Sequence, residues 1–315
     1  MSYTGPGFDP PQPRRSRRGP LTVALAALVP GALLGWAVYA AVGGSGDDEG
    51  PGSTAASASP SASAPASPRT SSPAPSARPE DEKPGTPAAA DGPLAGKVVV
   101  IDPGHNPENF EHTAEINRQV DIGTHRKECD TTGTSTNDGY AEADFTLDVA
   151  HRMRALLEKQ GATVKLTQDG DRPFGPCVDE RARIGNEAKA DAAVSIHADG
   201  SGTGNRGFHV ILPGTVDAGA ADTRAIVGPS EDLGTRIAGH FVRVTGSAPS
   251  NYVGGGTGLV TRKDLGGLNL STVPKVFIEC GNMRDSKDAA LLTSGAWRQK
   301  AAQGISDGIV SFLRG

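Results

Sequence analysis

Hydrophobic and polar positions change their pattern at about residue 96. Beyond it the apolar residues first form a continuous β-branched run, Val98 to Ile101, which suits a strand buried on both faces of a mostly parallel sheet. From Glu142 they recur at helical spacing through Phe145, Leu147, Val149, Met153, Leu156 and Leu157, and the pattern closes at Gly161, a favourable residue just past a helix end. Thr163 to Thr167 then reads as a second strand. The alternation continues with a helix over 178–189, strands over 192–197 and 208–212, a helix over 231–244, a strand over 275–279 and a closing helix over 295–313. Strands and helices in this order predict a single α/β domain over 96–315, with a mostly parallel mixed sheet flanked by helices on both faces.

Upstream the pattern is different. Leu21 to Val42 is uncharged and almost wholly apolar, long enough to cross a bilayer as a helix. Arg14, Arg15, Arg17 and Arg18 precede it, and Asp47, Asp48 and Glu49 follow it, so the positive-inside rule puts residues 1–20 in the cytoplasm and the remainder outside. The apolar run exceeds the short core of a signal peptide, which favours an uncleaved anchor over 21–43. The small residues Ala40 and Ala41 leave cleavage and secretion as the alternative. Residues 44–95 are dominated by Pro, Ser, Ala and Gly, a composition that stays extended because it has no core to build, and they read as a tether.

Charge narrows the partners. With 31 Lys and Arg against 36 Asp and Glu the net charge is -5, and no basic block follows the apolar segment, so there is no electrostatic case for nucleic acid.

Three of the predicted strands end in chemically capable residues: Asp102 to His105 after the first, His197 after the third and Glu279 after the fifth. Ligands of open α/β sheets bind at the carboxyl ends of the strands, so these groups can converge although the sequence separates them. Glu142, at the start of a helix, can face the same edge. Two histidines and a carboxylate leave zinc one open position for water, with a second carboxylate free to carry protons. Spacing alone does not select this reading, because no His-Glu-x-x-His helix is present and a histidine at a strand end is more often a hydrogen-bonded structural residue. His112, His125, His151, His209 and His240 are read in that structural sense.

The same residues carry a resemblance to a known family. Val99 to His105, Glu142 with Phe145 to Leu147, Arg181 and Asn186 with Ala190 to Ala198, and Val273 to Gly281 resemble, in order, segments of the N-acetylmuramoyl-L-alanine amidases of the amidase-3 type. The stretches Asp264 to Leu270 and Gly281 to Met283 look like actinobacterial members. The resemblance implies a zinc-exopeptidase-like fold with His105, Glu142 and His197 as zinc ligands and Glu279 as general base and acid. It further implies hydrolysis of the amide bond between N-acetylmuramic acid and L-alanine of peptidoglycan; the chain is expected to act as a monomer, held at the membrane by its N-terminal helix. A catalytically silent wall-binding module and a zinc peptidase acting within the stem peptide are the competing readings.

Two features depart from the family pattern. Asn106 to Asn109 replaces a Gly-rich turn, and the polar stretch 110–140 separates the first two implied ligands. That insertion is expected to form a loop or hairpin beside the site, either shaping or covering it or lying inert on the surface. Cys129 lies within it and Cys177 before the second helix, so a Cys129–Cys177 disulfide would pin the insertion, the alternative being two free thiols. Cys280 follows Glu279 and points by strand alternation to the opposite side, as a small buried hydrophobe.

Overall fold

The computed structural model describes residues 92–315. The membrane anchor anticipated at 21–43 and most of the tether lie outside the described residues; among those described, no helix is long and apolar enough to cross a membrane. Leu94, which the sequence reading leaves in the tether, is fully buried, and its N–H donates to Gln160 O at 2.9 Å. The packed domain therefore starts a few residues earlier than its first strand suggests.

Six strands form the central sheet: β1 (Val98–Pro103), β4 (Thr163–Leu166), β5 (Ala192–Asp199), β6 (His209–Pro213), β9 (Leu259–Arg262) and β10 (Lys275–Asn282). Their order is β4-β1-β5-β10-β6-β9. The first four run parallel, β6 is antiparallel to β10, and β9 is parallel to β6, so the sheet is mixed with a parallel majority. The remaining strands pair as two small hairpins, β2 (Gln119–Asp121) with β3 (Arg126–Glu128) and β7 (Asp217–Ala218) with β8 (Ala221–Asp222).

Strand alternation gives the sheet two unlike faces. Val99, Ile101, Val194, Ile196, Val276, Ile278 and Cys280 point to one, where they share a core with three long helices: α2 (Glu142–Lys159), α4 (Val227–Thr245) and α7 (Gly295–Arg314). Burying such side chains stabilises by about 1.5–3 kcal/mol each, which makes this face the main source of folding energy. The other face carries Asp102, Ser195, His197, Lys275, Phe277 and Glu279, and is covered more thinly, by α3 (Val178–Glu187), the short α5 (Gly266–Asn269) and the insertion. Helices thus flank the sheet as expected, but unequally.

The differences from the sequence reading are local. α4 begins at Val227 rather than near residue 231, because Pro229 falls in the first helical turn, where its missing N–H costs nothing. The edge strand β9 is short and half-exposed and has no strong apolar pattern. α6 (Ser286–Leu292) is started by Asp285, whose side chain accepts from the backbone N–H groups of Lys287 and Asp288. The insertion does form a hairpin, β2–β3, preceded by the one-turn helix α1 (Thr113–Ile116).

Candidate active site

β1 delivers Asp102 to the sheet's carboxyl edge and ends in the turn to His105, whose backbone is left-handed, with φ 63°. Histidine tolerates that conformation better than branched residues do, and such outliers gather at functional sites. Gly104 is required here: a Cβ on it would lie 2.3 Å from Cε1 of His197. Glu142 comes from the first turn of α2, which Thr146 ties to the same turn by donating from Oγ1 to Gly104 O at 2.8 Å. His197 and Glu279 are register partners on the adjacent strands β5 and β10.

The structure brings His105, Glu142 and His197 together, with one donor atom from each lying within 4.8 Å of the others. Glu142 Oε2 is 3.2 Å from His105 Nε2, and its Oε1 is 2.9 Å from His197 Nδ1. Each carboxylate oxygen also accepts a backbone N–H, Oε1 from Ala198 at 3.1 Å and Oε2 from Thr134 at 2.9 Å, so the group is fixed in place. Phe277 stacks on the His197 ring with the planes 1° apart, fixing the imidazole as well.

Neighbours set the tautomers. His105 Nδ1 lies 3.0 Å from the Thr131 carbonyl, which can only accept, so Nδ1 carries the proton and Nε2 presents its lone pair to Glu142. Ser195 spends its one hydroxyl proton on Asp102 Oδ2 at 2.8 Å, so towards His197 Nε2, 3.3 Å away, it can only accept. The proton of His197 is thereby placed on Nε2, and Nδ1 faces Glu142. Two ring nitrogens directed at one carboxylate are held either by protons on the rings or by a cation shared among the three groups. Two nitrogens and one oxygen at this separation fit a zinc ion, with the outer partners orienting the rings. Without an ion, ring protons take its place. Burial resists ionisation at both groups, yet Glu142 pulls His105 towards the protonated side, and the two histidines hold Glu142 well below the usual carboxylate range.

Beneath this group lies a buried ion network. Arg181 uses all five of its N–H donors: on Pro176 O, Pro103 O, His105 O, Asp102 Oδ1 and Asp130 Oδ2, at 2.6 to 2.9 Å. Asp102 in turn accepts from Thr167, Arg181, Ser195 and Lys275. Burial alone would raise the pKa of Asp102, but Lys275 and Arg181 together hold it far below the ordinary value. Asp130 is held low in the same way, against its burial, by Arg181 and His105. Lys275, Asp102 and Ser195 thus steady His197, while Arg181 and Asp130 steady His105.

Glu279 stands apart from these contacts. It lines the cleft that holds the histidines, and its Oε2 is buried without a hydrogen-bond partner. Burial, reinforced by the Glu142 and Asp199 carboxylates, pushes its pKa well above the usual range. Such a carboxylate holds a proton readily and can take one up during a reaction.

The cleft has a volume of about 300 Å³, and the insertion builds one wall with Lys127, Glu128, Asp130, Thr131, Gly133 and Thr134. Its approach is so close that a Cβ at Gly133 (φ +73°) would lie 2.8 Å from His105 Cδ2 and 2.9 Å from Glu142 Oε2. A disulfide joins Cys129 to Cys177, as the sequence reading expects, and fastens the insertion to the start of α3. Cys280 is a buried free thiol on the helical face.

Sequence reasoning missed Asp130, Thr131 and Thr134, which are polar residues within a polar insertion. It also missed Ser195 and Lys275, although a polar residue at every second position of otherwise apolar strands was a usable signal. Of the histidines read as structural, His125 and His240 bond to neighbouring side chains, His151 pairs with Asp169, and His112 lies against Phe174. His209 is buried, with Nδ1 unpartnered.

An α/β sheet whose carboxyl edge gathers two histidines, a carboxylate and a lone buried glutamate in one cleft is the framework of a hydrolase. The chain belongs to the amidase-3 family, N-acetylmuramoyl-L-alanine amidase, whose profile matches residues 99–311. It is 42% identical over 222 residues to the N-acetylmuramoyl-L-alanine amidase Rv3717 of Mycobacterium tuberculosis, covering 70% of this chain and 88% of that protein. Its fold is similar to the crystal structure of the amidase Ami1 from Mycobacterium smegmatis, with a TM-score of 0.64 and 41% identity over 70% of this chain and 98% of that one. The apo form of Ami1 from Mycobacterium abscessus is similarly related, with a TM-score of 0.63 and 40% identity over 69% of this chain and 99% of that one.

Proposed function

We propose that this protein hydrolyses the amide bond between the lactyl group of N-acetylmuramic acid and L-alanine in peptidoglycan, and that it does so with zinc. His105 Nε2, Glu142 and His197 Nδ1 are the groups that would hold the ion. When bound, zinc supplies a Lewis acid that polarises the scissile carbonyl and acidifies the attacking water. Glu279 accepts the proton that this water loses as its oxygen bonds to the carbonyl carbon, then delivers it to the departing L-alanine nitrogen as the C–N bond breaks. A carboxyl group with a raised pKa suits both halves of that transfer. Asp102, Ser195 and Phe277 hold the His197 ring, while Thr131 and Arg181 hold His105, so little reorientation is needed during turnover.

The observation that carries this reading is the pair of neighbour-fixed imidazole lone pairs turned on one carboxylate, beside a glutamate free of any other bond. Its test is digestion of purified peptidoglycan by the full chain, with the products weighed. Intact stems with a free L-alanine amine and a free muramyl carboxylate are expected, lost on chelation and regained with zinc. Fragments cut inside the stem, or binding without products, would overturn the reading.

We also propose that the domain works outside the membrane, tethered by residues 21–43 or released after their cleavage. The Cys129–Cys177 bond supports an oxidising compartment. Protease treatment of intact cells should remove the domain; full protection would count against it.

A further inference from the structure

Glu279 and His209 are register partners across the antiparallel pair β10–β6, standing directly opposite one another. Residues so placed point to the same face, with Cβ atoms about 4.5–5.5 Å apart. Both are buried at that point, and each leaves one polar atom without a partner: Oε2 of Glu279 and Nδ1 of His209. Buried polar atoms are nearly always hydrogen-bonded, so two orphans on opposed residues of one face count as complementary halves of a single link. One is an acceptor and the other can be a donor.

We propose that His209 is a positioning residue for Glu279: its Nδ1, more than 4 Å from the carboxylate oxygens in this structure, donates to Oε2 after a side-chain rotation or through one water, so that the carboxylate's other oxygen is presented to the cleft.

The surroundings of His209 suit that task. Tyr252 meets its ring edge-on, with centroids 5.9 Å apart and planes at 90°, and Tyr252 is itself anchored by donating from its hydroxyl to Asp199 Oδ2 at 2.7 Å. The ring plane is therefore fixed by an element other than its own strand. Burial favours the neutral imidazole, outweighing the pull of Asp199, and a neutral ring can donate without adding a charge beside Glu279. None of the other histidines outside the His–Glu–His group is placed this way. His112, His125, His151 and His240 lie off the central sheet and have surface partners of their own.

The inference rests on the amidase reading, and the test separates the two. The full chain is compared with His209→Leu, which removes the donor, and His209→Asn, which offers an amide near the Nδ1 position. Loss of orientation of a general base is expected to lower kcat of the Leu variant roughly tenfold to a hundredfold, with KM within about twofold and zinc content unchanged; the Asn variant should recover to within about threefold of the parent. A merely structural role would move stability but would not divide kcat from KM or be rescued by asparagine. Unchanged kcat in a folded Leu variant, or an Asn variant as slow as Leu, overturns the proposal. A crystal structure of the zinc-loaded parent should show Nδ1 and Oε2 linked at about 3 Å, directly or by one shared water. Two side chains pointing apart there overturn it even where the Leu variant fails to fold. A parent that releases no stems from peptidoglycan defeats the amidase reading instead, and the crystallographic result still decides the link.

Discussion

The two faces of the central sheet are made from the same strands yet do opposite work. On one, Val99, Ile101, Val194, Ile196, Val276 and Ile278 pack against three long helices, and almost nothing polar is buried there. On the other, Asp102, Ser195, His197, Lys275 and Glu279 alternate with them; Asp102 is satisfied there by Thr167, Arg181, Ser195 and Lys275, while Glu279 is left without a partner. Interchanging the faces by one residue of register would destroy both. The lesson is that a period of two lets one strand contribute stability and chemistry at once, with little coupling between them.

That separation can be broken in graded ways. Glu279→Gln should reduce stem release about a thousandfold, as loss of general acid–base catalysis does. The zinc-free fold should become more stable at neutral pH, with Tm rising a few degrees for each kcal/mol regained. The sign follows from the raised pKa: the folded state binds this proton more tightly than the unfolded chain, so Glu279 weakens the fold as pH climbs above the ordinary carboxylate value, and the amide removes that penalty. A Tm that falls in parallel with activity would mean that chemistry and stability share this residue.

Next come two substitutions expected to cost about the same stability, roughly 3–5 kcal/mol, by unlike routes. Phe145→Ala opens a cavity on the helical face, and zinc-loaded activity per folded molecule should survive. Arg181→Met strands the buried carboxylates of Asp102 and Asp130, and activity should fall as well, since the carbonyl and side chains steadying His105 lose their donor. Chemical denaturation with activity measured on the folded fraction distinguishes the two.

Ser195→Ala should weaken zinc binding about tenfold to a hundredfold in a competition titration and lower Tm of the metal-free protein by a few degrees, because the orientation of His197 is lost together with one of the donors to buried Asp102. An unaltered affinity would remove Ser195 from the account of the site.

The smallest expected effect is one of acidity. Asp102 and Asp130 have folded pKa values far below their unfolded ones, so the stability they add is complete above about pH 4 and drains away as pH falls below it. Unfolding midpoints between pH 6 and pH 3 should therefore decline steeply in the parent and in Phe145→Ala, and less in Arg181→Met. Equal slopes in all three would place the acid sensitivity elsewhere.

The helical face was almost wholly legible in the sequence, since continuous β-branched runs and helical spacing mark it without reference to anything distant. His105, Glu142, His197 and Glu279 were legible for a different reason: they end strands or start a helix, and their neighbouring residues resemble a family. What escaped was everything defined by contact between segments far apart in the chain. Asp130 reaches Arg181 across 51 positions and Lys275 reaches Asp102 across 173, and no local pattern encodes either pairing. The start of α4 lies four residues before the expected one, with Pro229 accommodated in the first turn.

The insertion meets His105 and Glu142 through main-chain groups, the Thr131 carbonyl and the Thr134 amide, and meets His105 also through the side chains of Thr131 and Asp130. Main-chain groups are indifferent to side-chain identity. Lys127 and Glu128, at the rim, make neither of these contacts and can be exchanged over evolutionary time to suit walls of different chemistry, provided Asp130 and Gly133 are kept. Substrate preference can drift in this lineage while the reaction itself stays put.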